Sequence, residues 1–389
     1  MIYLDHHATT PCDPRVVSAM LPWFTEAFGN AGSVEHEMGR AAARAVEAAR
    51  DAVAALIGAE PAEIIFTSGA TESNNLAILG AARFARKMGD RRRRIITLAT
   101  EHHAVLDPVA MLAEEGFEPE VLRVRPDGLL DPAMLAEALR EPTLLVSIMA
   151  VNNEIGVVQD LALLGPMVKA AGAALHVDAA QAAGRVPLDV SVLNADLLSL
   201  SAHKMYGPKG IGALYIRRRP RMRISPLMAG GGQERGLRSG TLPVPLIIGM
   251  GEAARIARAE GAAESARLRE MAARLHVLLE AEIPGLILNG HAERRVAGSL
   301  NLTFPAGSAR ALLAEVPDLC LSSSSACTSG PDGGVGASHV LTALGLSPDA
   351  ARRSLRIGLG RFTCEAEIAT AAQALGAAAR RMGAAATAA

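Results

Sequence analysis

The chain has 389 residues and a formal net charge of −1, with 50% hydrophobic and 20% charged residues. This composition is typical of a globular protein with one large domain or two, and it excludes a largely disordered chain. The near-zero net charge gives no general electrostatic reason for binding nucleic acid or an anionic membrane surface.

The sequence indicates neither a membrane span nor a secretion signal. It contains no run of about 18 apolar residues free of charge, and the first residues, MIYLDHHATTP, lack a basic segment followed by an apolar one. The four cysteines, Cys12, Cys320, Cys327 and Cys364, form no C-x-x-C pair that would suggest zinc. We therefore expect a cytoplasmic protein with reduced thiols, no membrane partner and no metal.

Short apolar runs alternate with helical patterns up to about residue 257. Strands are predicted at 63–68, 94–100, 143–151, 173–180, 196–201 and 210–218. Continuous apolar strands separated by helices predict an α/β fold with a mostly parallel sheet. After residue 257, long Ala/Arg/Glu helical segments and short strands predict a smaller α+β domain. We thus expect a large domain of residues 15–257 and a small domain of residues 1–14 and 258–389.

Polar residues follow nearly every predicted strand, at the sheet edge where α/β proteins bind ligands. SGATESNN (68–75) begins a helix and could bind phosphate through backbone N–H groups, or be an ordinary Ser/Thr N-cap. His102 could stack on a planar ring and move protons, or be structural. NNEIG (152–156) could hydrogen-bond a heteroaromatic ring or form a polar turn. Asp178 closes a very apolar strand and needs a partner, for which a protonated ring nitrogen is suitable.

Two of only four lysines among 39 basic residues lie in LSLSAHKMYGPKGIG (198–212). Lys204 directly follows a strand, where desolvation lowers the pKa of an amine and allows it to form a Schiff base. Arginine cannot do this because it stays protonated. Lys209 lies in a glycine-flanked turn, and we expect arginine to replace it with modest loss. Together with the phosphate-binding turn and Asp178, Lys204 predicts pyridoxal 5'-phosphate as the cofactor.

Two further residues concern the reaction. Cys327 lies in SSSSACTSGPDGGVGAS (322–338), among small polar residues, whereas a buried structural cysteine has apolar neighbours, as Cys320 has. Cys327 is therefore predicted to be a reactive thiol. Arg356 lies on a predicted strand in SLRIGLGRFT (354–363), where it could bind a carboxylate in bidentate fashion or form an interdomain salt bridge.

Many long motifs occur in one order across residues 2–364: YLDHHATTP, GNAGSVEH, FTSGATESNNLAI, VNNEIGVVQD, HVDAAQ, SAHKMYGPKGIGALY, GGGQERGLRSGTLP, SSSSACTSG and LRIGLGRFT. In these motifs the chain resembles the NifS/IscS-like group I cysteine desulfurases, which belong to the class V aminotransferase group. The resemblance implies fold type I with a seven-stranded sheet, a homodimer, and conversion of L-cysteine to L-alanine with a persulfide left on Cys327. A protein acceptor, such as an iron–sulfur scaffold or a tRNA-thiolation protein, would then collect the sulfur.

The resemblance also implies site residues. Lys204 would carry pyridoxal phosphate and take the α-proton, His102 would stack on its ring, and Asp178 would pair with its nitrogen. Further cofactor contacts would come from Ala70, Thr71, Asn153, Gln181, Ser201 and His203, and from Thr241 acting on the other subunit. The substrate carboxylate would be held by Asn153 and Arg356, with Asn30 close by.

The chain departs from the family pattern at Ser324, which replaces the usual glycine of SSGSACTS, and we expect this replacement to stiffen the loop slightly. Two alternatives stay open on the sequence. One is a selenocysteine lyase or another class V transferase, which would not need the thiol of Cys327. The other is a non-catalytic sulfur-relay or scaffold partner built on the same fold, against which the intact lysine, aspartate and cysteine argue.

Overall fold

The computed structural model describes residues 1–323 and 337–388. Over these residues the strands are β1 (Ile2–Tyr3), β2 (Ile64–Thr67), β3 (Arg94–Leu98), β4 (Glu118–Leu122), β5 (Thr143–Met149), β6 (Ala174–Asp178), β7 (Leu197–Ser201), β8 (Gly212–Ile216), β9 (Ile287–Leu288), β10 (Ser299–Thr303), β11 (Leu319–Cys320), β12 (Ser322–Ser323) and β13 (Ser354–Gly358). The helices are α1 (Pro14–Met20), α2 (Pro22–Thr25), α3 (Glu37–Leu56), α4 (Ala70–Lys87), α5 (His103–Glu114), α6 (Pro132–Ala138), α7 (Leu161–Ala170), α8 (Val244–Glu282), α9 (Ala309–Glu315), α10 (His339–Ala343), α11 (Pro348–Arg352) and α12 (Glu365–Ala388). Short 3₁₀ turns lie at Pro61–Glu63, Ala202–Lys204 and Glu234–Gly236.

The largest sheet has seven strands in the order β2-β8-β7-β6-β5-β3-β4. Strands β7, β6, β5, β3 and β4 run parallel, while β8 is antiparallel to both β7 and β2. Strands β5, β7 and β8 are buried along their whole length. Helices cover both faces of the sheet, which explains why these strands read as continuous apolar runs. The predicted mostly parallel seven-stranded sheet is confirmed.

Each of the six predicted strand runs contains an observed strand. The seventh strand of the sheet, β4, was not among them. It lies at the sheet edge, pairs with β3 alone, and exposes Glu118 and Val121 to solvent. An edge strand needs no continuous apolar run, so its sequence EPEVL carries little hydrophobic signal.

A separate apolar core lies beyond the main sheet. It contains Leu4 together with side chains of β10, β13, α9 and α12 and of the C-terminal half of α8. The sheet of this region has the order β12-β13-β10-β9, and β1 pairs in parallel with β11. Residue 257 lies inside the continuous helix α8, and the predicted division of the chain into two domains stays a prediction.

Helix starts follow the expected chemistry. Aspartate or serine side chains accept a backbone N–H at the starts of α1, α6, α7, α9, α10 and α11. Helix α4 differs: it begins after Gly69, and no side chain within residues 1–323 and 337–388 caps it. None of the helices in the described ranges combines the length and apolarity that crossing a lipid bilayer requires.

Candidate active site

A cavity of about 500 Å³ opens at the carboxyl ends of the parallel strands. It is lined by most of the residues predicted for the site, namely Ala70, Thr71, His102, Asn153, Asp178, Gln181, Ser201, His203, Lys204 and Arg356. Asn30 and Thr241 are exposed and are not among the lining residues of this chain. Their roles stay predictions, and for Thr241 the expected site is that of another subunit. Cys327 and Ser324 lie outside the described residues.

Lys204 is held at the cavity by the N-terminal segment. It lies in the 3₁₀ turn that directly follows β7, and its Nζ donates to the backbone oxygens of His7 at 2.5 Å and Ala8 at 2.8 Å. The neighbouring His203 contacts Thr9 Oγ1 through Nδ1 at 3.1 Å. Burial, with the positive charges of Lys204 and Lys209, lowers the pKa of His203 to about 4, so its ring is neutral near pH 7.

Asp178 ends β6 and is buried, and each of its carboxylate oxygens accepts a hydrogen bond. One oxygen, Oδ2, accepts the side-chain N–H of Asn74 at 2.7 Å, and Oδ1 accepts the backbone N–H of Ala180 at 2.9 Å. Asn74 comes from the second turn of α4, so the helix that starts at the cavity also orients the aspartate. These hydrogen bonds offset the cost of burying a carboxylate at the end of an apolar strand.

His102 is fixed in orientation by the start of α5. Its Nδ1 accepts the backbone N–H of Ala104 at 3.0 Å, so the neutral ring carries its proton on Nε2. Burial lowers the pKa of His102, although the nearby Asp178 acts in the opposite direction. The ring is therefore a neutral, pre-oriented group at the cavity wall.

Glu101 was not predicted as a site residue, although its place directly after a strand was an available signal. It is completely buried, and its Oε1 accepts the backbone N–H of Met149 at 2.7 Å. Within the described part of the chain, its other oxygen has no hydrogen-bond partner. Burial, with the neighbouring Asp178, raises the pKa of Glu101 well above its usual range, so this site favours the uncharged form of the carboxyl group.

The turn before α4 has the geometry of an anion site. The first backbone hydrogen bond of the helix runs from the N–H of Ser73 to the oxygen of Gly69, so the preceding N–H groups have no intrahelical acceptor. Strand β8 packs closely against this turn: a Cβ added to Gly212 would lie 2.6 Å from Gly69 Cα. In the structure as described, no side chain caps this helix, in contrast to the Ser/Thr N-cap that the sequence left open.

Arg356 reaches the cavity from β13 and is almost fully buried. Its Nη2 donates to Asp5 Oδ1 at 2.9 Å and its Nη1 to the backbone oxygen of Asn153 at 3.1 Å. The second oxygen of Asp5 accepts the hydroxyl of Ser322 at 2.7 Å. Arg356 thus makes an ion pair with Asp5, but both residues belong to the predicted small domain, so this is not the interdomain salt bridge that one sequence alternative held. Arg356 also lines the cavity, and its binding of a substrate carboxylate stays a prediction.

Several buried polar atoms at the cavity lack partners among residues 1–323 and 337–388: Asn74 Oδ1, Gln181 Oε1 and Arg356 Nε. The other end of the Gln181 side chain donates to the backbone oxygen of His7 at 2.8 Å. One cavity thus has groups around it that match the parts of pyridoxal phosphate: an amine for its aldehyde, a buried carboxylate for its ring nitrogen, and a helix N-terminus for its phosphate. A neutral histidine also lies at this cavity. Within the same ranges, no group of three or more His, Cys, Asp or Glu residues could hold a metal ion.

The aminotransferase class-V family model matches residues 2–370. The chain belongs to the class V aminotransferase family. A cysteine desulfurase IscS of Anaeromyxobacter sp. (strain Fw109-5) is 53% identical over 367 residues, which are 94% of this chain and 89% of that protein. The fold is also similar to that of a solved NifS-like protein, with a TM-score of 0.89, 35% identity, and coverage of 97% of this chain and 98% of the other. A solved structure of SspA in complex with cysteine has a TM-score of 0.81 and 35% identity, with coverage of 94% of this chain and 100% of the other. The predicted resemblance to NifS/IscS-like cysteine desulfurases is confirmed.

Proposed function

We propose that the protein is a pyridoxal phosphate-dependent cysteine desulfurase, which takes the sulfur of L-cysteine, releases L-alanine and leaves a persulfide on Cys327. The observation that carries this proposal is the convergence of Lys204, Asp178, His102 and Arg356 on one cavity. It is supported by near-full-length relatives that bear the name cysteine desulfurase.

The residues at the cavity fit the cofactor part by part. When bound, pyridoxal phosphate acts as an electron sink for the α-carbon of the substrate. Lys204 would hold its aldehyde end, and Asp178, fixed by Asn74, would place a negative charge beside its ring nitrogen. The N–H groups at the start of α4 would bind its phosphate. His102, fixed by its hydrogen bond to Ala104, would lie against the ring.

The remaining steps belong to the chain itself. Arg356 would bind the carboxylate of L-cysteine, since its buried Nε is a donor that lacks an acceptor in the described part of the protein. Lys204, held beside the backbone oxygens of His7 and Ala8, would remove the α-proton. The thiolate of Cys327 would attack the sulfur of the substrate. A sulfur–sulfur bond forms, the carbon–sulfur bond breaks, and the electron pair of that bond stays with the β-carbon, which takes a proton. The α-carbon takes back a proton from Lys204, and alanine is released.

The assembly and delivery of sulfur follow from the same proposal. The protein would be a homodimer, in which Thr241, exposed and not among the residues that line the cavity of its own chain, would contact another subunit's phosphate. Asn30 would lie near the substrate carboxylate. The persulfide would pass to a protein acceptor in the cytoplasm, such as an iron–sulfur scaffold or a tRNA-thiolation protein.

The purified protein, supplied with the cofactor, should be yellow and should form alanine and persulfide from L-cysteine. Lys204→Ala should lose the yellow colour, while Lys169→Ala, an exposed lysine bonded to Asn194, should keep it. Cys327→Ser should keep the colour but form no persulfide, and Cys364→Ser, at an exposed thiol, should behave as wild type. A colourless wild type would contradict the cofactor assignment. Full turnover by Cys327→Ser would contradict the assigned nucleophile.

A further inference from the structure

An ion pair closes one side of the phosphate-binding turn. Glu72 lies in the first turn of α4 and lines the cavity. Its Oε2 accepts the backbone N–H of Ser68 at 2.6 Å, and its Oε1 accepts Nε–H of Arg238 at 3.0 Å. The side chains of Arg238 and Glu72 are only 18% and 15% exposed. The pair therefore connects the start of α4 with a distant loop.

Glu72 presents an electrostatic difficulty for an anionic ligand. Burial alone raises the pKa of Glu72, but the hydrogen bonds from Ser68 and Arg238 outweigh burial and hold this pKa below its usual range. The side chain is therefore ionised near pH 7. A negative charge in the first turn of a helix is stabilised by the positive end of the helix dipole. It also repels a second anion bound at the same place.

The cavity contains other charges, but they lie on other elements. Lys204 and Lys209 follow β7, Arg356 lies on β13, and Asp178 ends β6. Among the ion pairs of the described residues, Arg238 is the cation that pairs with Glu72. Arg238 is thus placed to cancel the charge of Glu72, while Glu72 continues to hold the N–H of Ser68.

The loop that carries Arg238 is itself anchored. Four residues earlier, Glu234 accepts two hydrogen bonds of 2.8 Å from the buried guanidinium of Arg50 and one of 2.7 Å from the backbone N–H of Phe66. Later in the loop, the N–H of Gly240 donates to Gln233 Oε1 at 2.9 Å. Arg238 is therefore presented by a fixed backbone, which reduces the entropy lost when its side chain pairs with Glu72.

We propose that Arg238 is a positioning residue for the cofactor phosphate: it neutralises Glu72 and so allows the turn at Ser68–Thr71 to bind an anion. This inference rests on the proposed function, since the anion is the phosphate of pyridoxal phosphate. Glu72 shapes the turn through Ser68, and Arg238 removes the electrostatic penalty of having a carboxylate there.

The test compares equilibrium dissociation constants of the apoprotein for pyridoxal phosphate and for unphosphorylated pyridoxal, measured by equilibrium dialysis. Arg238→Gln should bind pyridoxal phosphate roughly tenfold more weakly and pyridoxal as well as wild type does, since one uncompensated charge acts on the phosphate alone. Glu72→Gln keeps an acceptor for Ser68 and should bind pyridoxal phosphate at least as tightly as wild type. The double variant should recover most of the affinity that Arg238→Gln loses.

Arg83→Gln is the matched control, because it removes an arginine from an Arg–Glu pair near the other end of α4 and leaves the turn untouched. It should bind both compounds as wild type does. The proposal is overturned if Glu72→Gln is as weak as Arg238→Gln, which a purely structural ion pair would produce, or if Arg238→Gln loses pyridoxal affinity equally. If Arg238→Gln does not fold, the test uses Arg238→Lys and Glu72→Gln instead. The affinity of Arg238→Lys for pyridoxal phosphate should stay within about threefold of that of wild type. Wild type that binds neither compound would instead refute the proposed function.

Discussion

The variant Glu154→Gln should lose less folding stability than wild type as the pH rises. Glu154 is buried, and its Oε2 accepts the hydroxyl of Ser338 at 2.5 Å. The basic side chains that face it are Arg356 from β13 and His103 from α5. Burial outweighs these contacts and raises the pKa of Glu154 from 4.5 to about 7. Glutamine keeps an acceptor for Ser338 but cannot ionise.

The sign and size of the effect follow from this pKa. Because the carboxyl group has a higher pKa in the folded state, the folded protein binds more protons than the unfolded chain between these values, and stability falls as the pH rises through this window. At about 1.4 kcal/mol for each pH unit, the full loss is about 3 kcal/mol, most of it between about pH 5 and pH 8. With an unfolding entropy of about 2.1 cal/mol/K per residue, this corresponds to roughly 4 °C in Tm.

Scanning calorimetry of wild type and Glu154→Gln near pH 5 and pH 8 measures this difference. The variant should gain Tm relative to wild type on going to the higher pH. Glu137→Gln, at a side chain that is 67% exposed, is the control and should show no such gain. A gain that is equal at both pH values, or larger at the lower one, would refute the linkage to a buried Glu154.

The remaining predictions concern an ion pair, the substrate site and the second lysine. Arg50→Met leaves Glu234 buried without its cation and should cost about 3–5 kcal/mol, measured by urea unfolding; Arg50→Met/Glu234→Met should recover much of this loss, and no recovery would argue against a charge effect. Arg356→Lys should raise KM for L-cysteine by about tenfold or more, because lysine lacks the planar fork of donors; an unchanged KM in steady-state assays would exclude a contact with the carboxylate. Lys209→Arg should keep the yellow colour and a kcat/KM within about threefold of wild type, whereas loss of colour as in Lys204→Ala would show that the wrong lysine was assigned.

The sequence predicted the sheet well where strands are buried on both faces. Strands such as β5 and β7 appear as uninterrupted apolar runs, since helices cover them from both sides. Strand β4 was missed because an edge strand can place Glu118 and Glu120 where a central strand needs apolar residues. The hydrophobic pattern of a sequence indicates which strands are buried. It does not predict a strand that pairs with its neighbour but stays exposed to solvent.

The sequence could predict those site residues that come soon after a buried strand. Lys204 and Asp178 were found in this way, since parallel strands end at one edge of the sheet. Their partners were not, because they come from other segments: the backbone oxygens of His7 and Ala8 hold Lys204, and Asn74 holds Asp178. Such contacts depend on the tertiary fold, and no local pattern in the sequence encodes them.

Helix α8 runs unbroken for 39 residues, which is about 58 Å at 1.5 Å per residue. Its first part packs in the core of the main sheet, through Val244 and Ile247, and its last part in the other core, through Leu275 and Leu279. Because the helix is continuous, the direction in which the side chains of one half point determines the direction for the other half. One residue inserted near Ala257 would turn the C-terminal half by about 100°, moving its apolar side away from its core. The number of residues in α8 between the two cores is therefore constrained, even at positions whose outward side chains are free to vary.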